Sequence, residues 1–206
     1  MTQKFPIGIY NCSQIVTYLG VIVVVAGLSL AVSGRVRSAV ICLVLAGAFD
    51  VADGFVARRF RRNRHEELAG IQLDSLADIV AFCVLPIIIF SSSGYHLWYQ
   101  LVAYCLLATT GISRLTLFNV SQTINESRPV SYFRGLPVTF SALIFPLGYV
   151  AMSHMTNHLS GPFIALLFCL VSVMFVSDFK MKKPAGAWYG VIAITVVLLI
   201  ILVVLS

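Results

Sequence analysis

Charge is what this chain has least of. Only 11% of its 206 residues are charged and 59% are hydrophobic, whereas soluble domains carry about 25% charged residues. That deficit excludes an ordinary soluble domain and places the chain among membrane proteins. Polar linkers are missing as well, and there is no low-complexity tract and no soluble repeat, so residues 1–206 read as a single transmembrane domain. Thiol motifs are absent. Cys12, Cys42, Cys83, Cys105 and Cys169 are odd in number, form no CxxC pair and sit mostly in apolar runs. They read as small apolar fillers, with no disulfide and no thiolate metal site. The four histidines share no ligand spacing: His65 falls in a basic loop, and His96, His154 and His158 fall on the opposite side. Acidic residues are scarce, eight against 14 Lys and Arg, for a net charge of +6. In a chain this apolar, the basic excess points to membrane orientation and contact with anionic lipid, and away from nucleic acid.

What the chain does have is apolar length. Seven runs, near 15–32, 38–57, 73–91, 96–118, 136–154, 159–176 and 187–205, approach the span of about 20 residues that crosses a bilayer. They predict an all-α, polytopic transmembrane helical bundle. Residues 1–10 carry one Lys, and Ala31-Val32-Ser33 imitates a cleavage site. The weak charge before the first run and the spans after it favour a first membrane helix over a removed signal. With the N-terminus inside, twelve Lys and Arg fall on the inner side and only Arg35 and Arg37 on the outer, which orients the bundle. The inner set includes Lys180, Lys182 and Lys183, a run that reads as a headgroup contact. All eight acids fall on that same side. Acids do not direct topology, so an inward-facing site accounts for them.

The acids are patterned. Asp50 and Asp53 are three apart near the end of the second run, and Asp74 and Asp78 are four apart near the start of the third. Each pair lies on one helix face. One short basic connection joins the two runs, so the helices are antiparallel neighbours and the four carboxylates converge near one membrane surface. Such a cluster repels itself, and acids in a span are costly. Two divalent cations would neutralise it. Hard oxygen donors without His or Cys suit Mg²⁺ or Mn²⁺, and paired ions are a known arrangement for phosphoryl chemistry. Gly54, Ala57 and Gly70 are small residues at positions that leave room for a ligand, and Arg58 is placed to face a pyrophosphate.

Asp50, Asp53, Gly54, Ala57, Arg58, Gly70, Asp74 and Asp78 together resemble the long motif of the CDP-alcohol phosphotransferase family, DxxDGxxAR…GxxxDxxxD. The connection at residues 59–69 is longer than that family's usual spacing. Within the family the chain is most similar to the integral-membrane phosphatidylserine synthases. Leu73-Asp-Ser-Leu-Ala-Asp leading to Pro86, Arg114-Leu-Thr-Leu-Phe-Asn119 and Phe133-Arg-Gly-Leu-Pro137 resemble their segments. The resemblance covers roughly residues 10–150 and leaves the last two spans without a motif.

The resemblance implies a reaction. The serine hydroxyl attacks the lipid-linked phosphorus of CDP-diacylglycerol, giving phosphatidylserine and CMP. It implies that Asp50, Asp53, Asp74 and Asp78 bind metal, that Asp78 is also the general base, and that Asp53, Gly54, Ala57, Arg58, Gly70 and Asp74 surround the CDP group. It also implies a homodimer. A serine carboxylate calls for a cation, best a bidentate Arg. Arg114 and Arg134, with Asn119 and Ser75, are the acceptor-side candidates, although positive-inside anchoring and helix packing explain some of them equally. Glycerol phosphate or inositol phosphate as acceptor is the alternative within the enzyme class, and an ion-coupled transporter is the alternative outside it. A transporter predicts acids near the bilayer midplane, whereas these flank a cytoplasmic connection.

Overall fold

Without water to satisfy them, backbone polar groups in a bilayer must pair within their own segment, and the apolar runs fold accordingly. A computed structural model describes residues 14–57, 64–124, 132–182 and 188–205. Its helices are α1 (Ile15–Val32), α2 (Val36–Ala57), α3 (Arg64–Ile79), α4 (Leu85–Ser92), α5 (Trp98–Ile124), α6 (Ser141–Ser153), α7 (Asn157–Val176) and α8 (Trp188–Leu205). A π-helical turn, Val80–Val84, joins α3 to α4 as one continuous column, and a 3₁₀ turn, Val138–Phe140, leads into α6. Among the described residues five helical segments are long and apolar enough to cross a membrane, while Val138–Ser153 and Ile194–Leu205 are shorter apolar helices. The seven columns follow the seven runs, and the protein is an integral membrane protein.

Two features depart from the expected outline. The third column begins at Arg64 rather than near residue 73, because part of the long connection is helical. His65 therefore sits in a helix and not in a loop. Glu66 and Glu67 occupy the first turn of that helix, where acids complement the helix dipole. The second departure is a two-stranded antiparallel ribbon, β1 (Tyr132–Arg134) with β2 (Lys180–Lys182), in register Arg134 to Lys180. It ties the segment before α6 to the segment after α7. Gly135 closes the clasp at φ +72°, where an added Cβ would lie 2.7 Å from the Ser177 carbonyl. Its N–H donates to the Phe179 carbonyl at 2.8 Å.

Lipid gives apolar side chains no drive to leave it, so the bundle is held by close packing. Phe168 sits centrally, with ring centroids 5.4 Å from Phe90, 4.7 Å from Tyr104 and 4.4 Å from Phe145. Small residues bring helices together elsewhere: a Cβ at Gly47 would meet that of Ala142 at 2.5 Å, joining α2 to α6. Ile22, Leu166 and Leu198 are among the large apolar side chains left exposed on the outer faces, where lipid would lie. Cys42, Cys83, Cys105 and Cys169 are free thiols, and Cys12 lies outside the described residues.

The π turn has a local cause. Pro86 stands at the start of α4 and has no N–H, so the Phe82 carbonyl lacks its usual donor. The ladder widens there, and the Leu85 N–H reaches back five residues to the Val80 carbonyl. The wide turn lies directly after Asp78, a placement common near functional sites.

Candidate active site

The second half of α2 and the last turns of α3 bring the carboxylates together. Asp50, Asp74 and Asp78 each present an oxygen, and these oxygens all lie within 4.8 Å of one another. Asp50 and Asp78 are hydrogen-bonded to each other. Two carboxyl groups in contact need a proton or a cation between them. The set contains only hard oxygen donors, so it fits a divalent cation such as Mg²⁺ or Mn²⁺ better than zinc.

Asp53 lies in the same cleft but outside that trio. It is buried, 8% exposed, and its Oδ2 accepts a 2.8 Å hydrogen bond from Thr17 Oγ1 on α1. Asp78 is 7% exposed, and Asp50 and Asp74 are half-buried. All four line one cleft walled by Thr17, Gly20 and Val24 on one side and by Phe49 and Phe82 on the other. Helix α1, which carries none of the motif, is thus part of the site.

The remaining candidates are placed as follows. Gly54 is exposed, with nothing within 4 Å of where a Cβ would stand, so the surface beside Asp53 is open. Gly70 is half-buried on α3, one turn before Asp74. Ala57 is the last residue of α2, and Arg58 lies outside the described residues. Ser75 Oγ donates to Asn119 Oδ1 at 2.8 Å, tying the carboxylate-bearing helix to α5. Arg114 is buried, and its Nε–H donates to the Leu136 carbonyl at 3.4 Å, holding α5 to the turn before α6. Arg134 is the register partner of Lys180 in the ribbon. Ser75 and Asn119 therefore meet, while Arg114 bonds a carbonyl two residues after Arg134 in the chain. Thr17 and the π turn were not anticipated. Their signals were a threonine near the start of an apolar run, and a proline inside one.

Comparison with known proteins agrees with this geometry. The family model described as CDP-alcohol phosphatidyltransferase matches residues 10–205. An archaetidylserine synthase of Methanothermobacter thermautotrophicus is 29% identical over 158 residues, covering 76% of this chain and 63% of that protein. A CDP-diacylglycerol–serine O-phosphatidyltransferase of Saccharomyces cerevisiae is 38% identical over 112 residues, 52% of this chain and 40% of that protein. The enzyme of the same description from Helicobacter pylori is 32% identical over 142 residues, 65% of this chain and 59% of that protein. The chain thus spans less than two thirds of the length of each of these relatives.

Proposed function

The chain belongs to the CDP-alcohol phosphatidyltransferase family, and from that premise we propose that it transfers a phosphatidyl group from CDP-diacylglycerol to the hydroxyl of L-serine, giving phosphatidylserine and CMP. The observation that carries the chemistry is the meeting of Asp50, Asp74 and Asp78 oxygens within 4.8 Å. Serine as acceptor is supported by the relatives' names, which agree on serine and differ in the lipid. The archaetidylserine relative covers the larger share of this chain, which favours a second reading of the donor, an archaeal-type CDP-activated lipid with the same acceptor.

In this reading Asp50, Asp53, Asp74 and Asp78 hold two divalent ions, Mg²⁺ or Mn²⁺. Bound there, the metal supplies charge neutralisation for the pyrophosphate and for the departing CMP. The chain's own residues do the rest. Gly54, Ala57 and Gly70 leave space for the CDP group beside Asp53 and Asp74, and Arg58 faces its phosphates. Asp78 takes the proton from the serine hydroxyl as that oxygen bonds to the lipid-linked phosphorus. The bond from that phosphorus to the bridging oxygen breaks, and CMP leaves with the electron pair. Arg114, held through its Nε by Leu136, and Arg134 meet the serine carboxylate, and the Ser75–Asn119 pair bounds the acceptor space.

The site faces the cytoplasm from the cell's inner membrane. The concentration of Lys and Arg on that side supports this orientation. A single catalytic domain acting as a homodimer completes the reading, on the strength of the family resemblance. The test is CMP release by purified, metal-stripped protein supplied with CDP-diacylglycerol, Mg²⁺ or Mn²⁺, and an acceptor panel. Turnover with serine, abolished by chelation and restored by Mn²⁺, is expected. Turnover with glycerol phosphate or inositol phosphate and none with serine overturns the serine assignment.

A further inference from the structure

Threonines in membrane helices ordinarily return their hydroxyl to their own backbone. Thr110 and Thr116 follow this habit, donating to the Leu106 and Ile112 carbonyls at 2.7 and 2.9 Å. Thr109 does the same with the Cys105 carbonyl at 2.8 Å. Thr17 instead bonds across helices. It stands in the first turn of α1, and its Oγ1–H crosses to Asp53 Oδ2 at 2.8 Å.

The crossing depends on how closely α1 lies against α2. The buried seam of α1 is Gly20, Val24, Gly27 and Ala31, small or slender residues at alternating spacings of four and three. A Cβ at Gly27 would meet that of Cys42 at 2.8 Å, and one at Gly20 would meet that of Phe49 at 3.3 Å. Phe49 immediately precedes Asp50, so Gly20, one turn from Thr17, sets the gap at the site itself.

We propose that Thr17 is a positioning residue that orients the Asp53 carboxylate toward bound divalent metal, so that α1 completes a site whose acids all come from α2 and α3. Partners that hydrogen-bond a ligating carboxylate fix its orientation, and their loss costs about 10- to 100-fold in metal affinity or activity. The catalytic consequence rests on the transferase reading, but the test does not. Mn²⁺ is titrated against metal-stripped full-length protein, and free Mn²⁺ is read by electron paramagnetic resonance. Thr17→Val, which keeps the shape and removes the hydroxyl, should weaken Mn²⁺ binding by about tenfold, whereas Thr17→Ser should bind as the wild type does. In an Asp53→Asn background, Thr17→Val should have no further effect. Thr17→Ala provides a second variant without the hydroxyl, should the valine protein not fold. Unchanged Mn²⁺ binding in either hydroxyl-free variant, equal losses in Thr17→Ser and Thr17→Val, or a full further loss in the Asp53→Asn background overturns the proposal. Serine failing as acceptor while Thr17→Val still weakens Mn²⁺ binding retires the serine assignment and supports the positioning role.

Discussion

Ser75 and Asn119 are joined by a 2.8 Å hydrogen bond that runs from the middle of the Asp74–Asp78 turn to α5. It is a direct side-chain tie between the carboxylate helix and the helix bearing Arg114. A hydrogen bond of this kind is worth about 0.5–1.5 kcal/mol net. Ser75→Ala is therefore expected to raise the KM for serine about three- to tenfold, with a smaller change in the KM for CDP-diacylglycerol. The Ser75→Ala/Asn119→Ala double variant should be little worse than either single one, since both remove the same bond. Steady-state CMP release with each substrate varied in turn checks this. An equal rise in both KM values would count against an acceptor-side role.

Asp50 and Asp78 touch each other, yet they are assigned different tasks. Under the proposed mechanism Asp78→Asn removes the base together with a metal ligand and should lower kcat by about 10²–10⁴-fold, a loss that high Mn²⁺ does not restore. Asp50→Asn would remove a metal ligand alone, so part of its loss should return as Mn²⁺ is raised. Measuring kcat across a Mn²⁺ series for the two variants separates the roles. Identical rescue of both would remove Asp78 as the base.

The ribbon clasp makes a stability prediction. Gly135→Ala places a Cβ at φ +72°, 2.7 Å from the Ser177 carbonyl. The backbone term alone costs roughly 1–2 kcal/mol, and the clash adds to it. Gly34 has a similar φ, +78°, with nothing within 4 Å of an added Cβ, so Gly34→Ala should lose only the backbone part. Thermal melts in detergent should rank wild type above Gly34→Ala and Gly34→Ala above Gly135→Ala.

Ser141, the first residue of α6, is fully buried, and its hydroxyl has no hydrogen-bond partner. An unpaired buried polar group is unfavourable by about 1–3 kcal/mol, so Ser141→Ala should leave the Tm unchanged or raise it. Ser172 is also buried but donates to the Phe168 carbonyl at 2.7 Å. Ser172→Ala should give no such gain. The two melts, run side by side, check the contrast.

Much of this was legible before any coordinates. Long apolar runs predict helices because lipid permits little else, and acids three or four apart must share a helix face. Asp50, Asp74 and Asp78 therefore meet as their spacing required. The features that escaped are those fixed by partners distant in the chain or by a local break in the ladder. Thr17 looks like any polar residue in a membrane helix until α2 is packed against it. The ribbon joins strands of three residues each, too short to carry a pattern. The start of α3 was missed because it opens on the polar run 64–67, and hydropathy marks apolar length, not where a helix begins.

The wide turn after Asp78 has a consequence for how the third column can vary. An α-helix advances about 100° per residue, and the stretch from Val80 to Val84 holds one residue more than a regular ladder would. The wide turn takes up that residue itself, so the helical segments on either side keep nearly the phase of a regular ladder. Losing one residue within the turn would leave Asp74 and Asp78 facing α2 with Ile89 and Phe90 still in the interior. Losing one from the regular helix beside it would swing one end of the column about a quarter-circle against the other, so the five uncharged residues of the turn are where this column can change length.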